Sequence, residues 1–176
     1  MFTLHHGFWI YFIMRKHPRV WHFVIGSMLP DYVYGGLVAV MLCKGQLGWQ
    51  DVMGINPVVM MSYIPLYPWV VKLDLVGHSV VVWGCVLFMT FFPVFKGFQA
   101  LVIGWGTHLL LDALTHAAYA NYYLYPLSMA AVHSPVSYWE QQYFAKEFKW
   151  LNNSLMSLAI AYLIYQWWRT KKSEEE

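Results

Sequence analysis

Ionisable side chains set inside long apolar stretches constrain this chain more than any other feature. Between Val20 and Cys43 the only charged or imidazole side chains are His22 and, directly after Pro30, Asp31. Between Phe98 and His116 they are His108, Asp112 and His116, and between Val76 and Val94 only His78. A membrane-crossing helix needs about 20 mainly apolar residues. These three stretches, with Leu151 to Trp168, come close to that length. An ionisable group at membrane depth costs about 2.5 kcal/mol or more, so each such residue marks a functional site by default.

Composition points the same way. Hydrophobic residues make up 59% of the 176 and charged ones only 11%, against about 25% charged in a soluble domain. Too little polar surface is left to keep a compact domain in water. Mean hydropathy is +0.43. Ten Trp and thirteen Tyr suit broad interfacial belts. The formal charge of +2, with no basic stretch interleaved with aromatics, excludes a nucleic-acid partner.

The pattern predicts an all-α polytopic membrane bundle of about four spans. A single helical membrane domain covers 1–168, and 169–176 form a charged, solvated tail. Val76 to Val94 and Leu151 to Trp168 read as clean spans. The first span is interrupted by Pro30 and Asp31 and reads as two half-helices or a re-entrant element. Residues 1–14 are too short to cross and read as an interfacial or re-entrant helix. The His5-His6-Gly7 interruption and the basic residues after the apolar run do not fit a cleaved signal peptide. Segments 44–75 and 119–150 read as long connections, the second able to cap a cavity. Cys43 and Cys85 read as buried, unreactive thiols.

Four spans would collect Arg15, Lys16, Arg19, Lys96, Arg169, Lys171 and Lys172 on one side. The other side would hold Lys44, Lys72, Lys146 and Lys149. The positive-inside rule then puts both termini in the cytoplasm.

The sharpest local signal is His108-Leu-Leu-Leu-Asp112-Ala-Leu-Thr-His116. Residues four apart share a helix face, so His108 and Asp112 point the same way, and His116 lies about 80° round from His108. The first pair has the ligand spacing of H-E-x-x-H. The plainer alternative is a hydrogen bond between the two across packed helices. Asp31 is either the cap of the helix that follows it or a ligand. His78 has Asp74 four residues before it and is either an interfacial histidine held by polar neighbours or part of a site. Together His6, Asp31, His78, His108, Asp112 and His116 supply four imidazoles and two carboxylates. No thiolate lies among them, which suits a divalent ion: zinc first, then manganese or iron.

Several pieces occur in an order that matches a known group. They are Phe2-Thr-Leu-His-His6, Gly26-Ser-Met-Leu-Pro-Asp31-Tyr, His78-Ser79, the His108 to His116 segment, Tyr125-Pro-Leu-Ser128 and Ser134-Pro-Val-Ser-Tyr-Trp139. On these the chain resembles the bacterial membrane-bound metal-dependent hydrolase families. The resemblance implies that the six histidines and aspartates form the metal site, and that the protein sits in the bacterial inner membrane. Relatives carry Pro-Asp-x-Asp-His where this chain has Val33 and Tyr34 after Asp31. They carry His-Arg-Gly where it has Leu73, Asp74 and Leu75.

The expected function is metal-dependent hydrolysis of a lipid-like or amphipathic ester or phosphoester. His6, Asp31, His108 and Asp112 hold the ion, and His78 or His116 is general base or supporting partner. The partners are the lipid bilayer and that substrate, with homo-oligomerisation left open. The alternative is a small transporter or channel using the same groups as an ion or proton path, as the broken first span suggests.

Overall fold

The computed structural model describes residues 2–52, 54, 57–118 and 121–175. Tyr119 and Ala120 of the second long connection and Glu176 of the tail lie outside these. Among the described residues the fold is all helical, with no strand and one isolated bridge, Asn121 to Val132. The helices are α1 (Thr3–Met14), α2 (Val20–Met28), α3 (Tyr32–Cys43), α4 (Trp49–Val52), α5 (Pro57–Tyr63), α6 (Pro68–Gly77), α7 (Val80–Met89), α8 (Gln99–Ala113) and α9 (Ala145–Glu175).

Among the described residues two helical segments are long and apolar enough to cross a membrane, Val20–Cys43 and Pro93–Ala113. A third is reached if Val59–Leu66 and Pro68–Gly77, bent by 112°, count as one broken span. The first contains the break read from the sequence. Pro30 has no N–H and its ring clashes with a regular helix, so Leu29–Asp31 tighten into a 3-10 turn between α2 and α3.

Elsewhere the boundaries move. The stretch Val76 to Val94 is not one helix. Ser79 caps a new one by accepting from the Val82 N–H at 3.0 Å, so α7 has only 10 residues. Leu151 to Trp168 lies within the 31-residue α9, which is not among the helices apolar enough to cross. Segment 44–75 is largely helical, because Pro57 and Pro68 start α5 and α6 instead of breaking them. Helix α1 is present, but it packs against α2 and α8 with His6 fully buried. Cys43 and Cys85 are free, and both are exposed, not buried.

The contact that sets the architecture is the crossing of α2 and α8. A Cβ on Gly26 would lie 1.9 Å from the Leu101 carbonyl oxygen, and one on Gly104 would lie 2.2 Å from that of Phe23. Each glycine admits the other helix's backbone, the small-residue packing typical of helices in lipid. Helix α1 closes over this crossing through Ile10, Phe23, Val24 and Ala100. A second apolar cluster, Leu37, Met41, Ile64, Tyr67 and Val70, joins α3 to the bent pair. Polarity is inverted relative to a protein in water. Trp49 and Leu127 are each 80% exposed, while His6, His78, His108 and Asp112 are buried.

Candidate metal centre

Five segments bring the predicted residues to one place: α1 (His6), the 3-10 turn (Asp31), the α6–α7 junction (His78), α8 (His108, Asp112) and the loop after it (His116). His108 and Asp112 share a face of α8, with His108 Nε2 3.0 Å from Asp112 Oδ2. His78 Nε2 lies 3.2 Å from His108 Nε2 and 3.7 Å from Asp112 Oδ2. Asp31 Oδ1 is 3.7 Å from His108 Nε2 and 4.0 Å from His78 Nε2. His6 Nε2 is 3.2 Å from the other Asp112 oxygen, Oδ1.

The partners on the far side of each ring fix where the protons are. His108 Nδ1 is 2.8 Å from the Ser27 carbonyl oxygen. A carbonyl only accepts, so Nδ1 carries the N–H and Nε2 presents a bare lone pair. His78 Nδ1 lies 3.0 Å from the Asp74 carbonyl oxygen and 3.0 Å from Asp74 Oδ1, again acceptors only. With both rings neutral, the two Nε2 atoms that face each other are acceptors, as are the carboxylates beside them.

His6 shows a related pattern. Its ring stacks on His108, with centroids 4.1 Å apart, and is fully buried. Neither of its nitrogens has a hydrogen-bond partner. Nε2 is close enough to Asp112 Oδ1 for an ion pair. Burial pushes the His6 pKa down to about 4, so the ring is neutral at pH 7.

These residues fit a cation. Donors bonded at about 2.0–2.2 Å to one ion lie about 3–3.5 Å from their neighbours, and most separations here fall near that range. Two triads have converging donor atoms: His6, His108 and Asp112, and Asp31, His78 and His108. They share His108, whose Nδ1 is committed to Ser27. One remaining nitrogen bonds one ion, so His108 serves only one of the two triads at a time.

Asp31 stands at the N-cap position of α3, but its side chain makes no capping hydrogen bond. Its Oδ2 instead accepts from the Thr3 hydroxyl at 2.7 Å. His116 stands at the edge of the donor cluster, its Nδ1 3.6 Å from Asp112 Oδ1. Its Nδ1 is 3.0 Å from the Asp112 carbonyl oxygen, and its ring rests against Trp139 at 4.7 Å between centroids. Burial pushes its pKa down to about 4 as well. The segment that brings Trp139 there is tied to the end of α8: Ser134 N–H donates to the His116 carbonyl at 2.8 Å and Ser134 Oγ to that of Leu114 at 2.7 Å. The Ser79 hydroxyl donates to the Tyr125 carbonyl, anchoring the other loop beside His78. The short sequence pieces thus meet in space.

Sequence reasoning finds Asp74 by its spacing from His78 and misses two other neighbours. Thr3 enters only as part of a motif, although its position three residues before His6 places it near the same face. Tyr34 enters only as a departure from the resembled pattern, yet its hydroxyl donates to Asp74, which holds His78. A cavity of about 260 Å³ opens beside them, with Asn121, Tyr122 and Ile64 among its walls. Comparison with known protein families, curated proteins and solved structures yields no match.

Proposed function

We propose that this protein is a membrane-embedded, metal-dependent hydrolase acting on a lipid-like or amphipathic ester or phosphoester. One observation carries the reading: two buried imidazole nitrogens, both acceptors when the rings are neutral, face each other at 3.2 Å among carboxylate oxygens. A cation between them would satisfy all of these acceptors at once. The inverted polarity and the apolar segments favour a lipid setting, and the motif order favours the hydrolase families named above.

His6, Asp31, His78, His108 and Asp112 would hold the ion, with zinc the first candidate for this nitrogen and oxygen set. A divalent ion there supplies Lewis-acid polarisation of the scissile group and lowers the pKa of water. His78 moves from the base to the ligands in this assignment, since both its nitrogens are engaged. His116 then remains as the proton acceptor. It is unprotonated at pH 7, sits one helical turn beyond Asp112, and is held in place by Trp139. The 260 Å³ cavity beside His78 admits a headgroup-sized portion of substrate while the rest stays in the bilayer.

The test is release of fatty acid or phosphate from mixed phospholipid vesicles by purified, zinc-loaded protein. Hydrolysis that stops with a chelator, or with His116→Ala, supports the reading. Metal binding without hydrolysis of any ester or phosphoester lipid contradicts it. The break at Pro30 with Asp31 in its wall favours a second reading, an ion or proton path. Chelator-insensitive proton flux into liposomes would support that one.

A further inference from the structure

Asp74 stands outside the donor cluster, and nothing in the function above uses it. It occupies the last turn of α6, four residues before His78, where a helix places two side chains on one face. Its Oδ1 lies 3.0 Å from His78 Nδ1, the nitrogen on the side away from the cluster. The same oxygen accepts the Tyr34 hydroxyl, which comes from α3 one turn beyond Asp31. The contacts form a chain from Tyr34 through Asp74 to His78, ending at the bare Nε2 among the donors.

This chain has a physical purpose. His78 follows the last residue of α6 and precedes the Ser79 cap of α7, so no helix fixes its ring on both sides. The Asp74 carbonyl lies 3.0 Å from the same Nδ1, but a backbone carbonyl is the weaker acceptor. A carboxylate on the far nitrogen locks the N–H there, orients the ring and makes the near nitrogen a stronger donor to a cation. Tyr34 fixes the carboxylate in turn, tying it to the helix that begins at Asp31. A quarter of the Asp74 side chain is exposed, on the cavity, so the Tyr34 bond keeps it from swinging outward.

We propose that Asp74 is a positioning residue for His78, with Tyr34 holding Asp74, and that the pair sets the affinity of the centre for its ion. The inference rests on the ion-binding reading of the cluster.

The test is titration of the full-length, detergent-solubilised, metal-free protein with Co²⁺, read by affinity and by its visible absorption, which reports ligand number and symmetry. Asp74→Asn keeps the shape and removes the charge. It should weaken Co²⁺ binding about ten- to a hundredfold and change the spectrum. Asp74→Glu should restore most of the affinity, which a purely structural role would not produce. Tyr34→Phe should give a smaller loss of several-fold, and it keeps the proposal testable if Asp74→Asn does not fold. Wild-type affinity and spectrum in both Asp74→Asn and Tyr34→Phe, with binding abolished in His108→Ala, overturns this inference and leaves the ion site standing. Unchanged binding in His108→Ala removes the ion site and this inference with it.

Discussion

His78 and His108 face each other with their Nε2 atoms 3.2 Å apart, and each has already given its N–H to an acceptor on its far side. With both rings neutral, two lone pairs at that distance repel. The arrangement becomes favourable with a positive charge between them, and Asp31 and Asp112 add negative charge at the same point. The backbone supplies half of the effect, since the Ser27 carbonyl that fixes His108 comes from the helix crossed at Gly26.

That crossing gives the first prediction. A Cβ at Gly26 or Gly104 would meet a backbone carbonyl oxygen at 1.9 or 2.2 Å, and backbone cannot swing aside. Gly26→Ala and Gly104→Ala should each destabilise by about 1–3 kcal/mol or more and weaken metal binding by displacing Ser27. Gly35→Ala in α3 meets nothing within 4 Å and should leave both unchanged. Thermal melting in detergent checks all three, and equal melting of Gly26→Ala and wild type would contradict the crossing.

Thr3 should matter through Asp31. Its hydroxyl bonds Asp31 Oδ2 at 2.7 Å. Thr3→Val preserves shape and removes the donor, at a cost of about 1 kcal/mol. The expected consequence is a several-fold loss of metal affinity, restored by Thr3→Ser, as measured by competition with a chelator.

The long α9 is tied to the bundle by Asn152, which accepts from Trp9 Nε1 at 2.9 Å and lies 3.3 Å from His5 Nδ1. Asn152 is buried. Asn152→Leu leaves the Trp9 N–H without a partner, at about 1–3 kcal/mol. Hydrogen exchange along 145–160 should then rise, while metal content stays at the wild-type level, because no donor comes from α9.

Acid should destabilise the metal-free protein. His6 and His116 are pushed down to about 4 by burial, from an ordinary value of 6.5. Their folded pKa values lie below the unfolded one. The stability they contribute is full above pH 6.5 and is lost as pH falls toward 4, where the unfolded chain binds protons that the folded one refuses. Denaturant midpoints should fall from pH 6.5 to pH 5, and no fall across that interval would contradict the burial of these rings.

Much of the site was legible because its residues stand out against an apolar background. His108 and Asp112 announce themselves by helical spacing, and Asp31 by following a proline in a hydrophobic run. The helix boundaries were less legible. A capping serine at Ser79 looks like any polar residue beside an apolar stretch, yet it ends one helix and begins another. Pro57 and Pro68 read as loop residues, although proline is equally at home in the first turn of a helix. Gly26 and Gly104 carry no packing signal in the sequence, because their role exists only between two helices. The proton positions on His78 and His108, on which the chemistry turns, depend on partners 4 and 81 positions away in the chain. Sequence spacing suggests the first of these and says nothing of the second.

The most direct measurement is metal content by mass spectrometry on protein purified without an affinity tag, beside the His108→Ala, Asp112→Ala double variant. The account predicts close to one equivalent of zinc, manganese or iron in the wild type, since both triads share one His108 nitrogen, and none in the folded variant. A wild type that holds no metal and takes up none when it is added would contradict it.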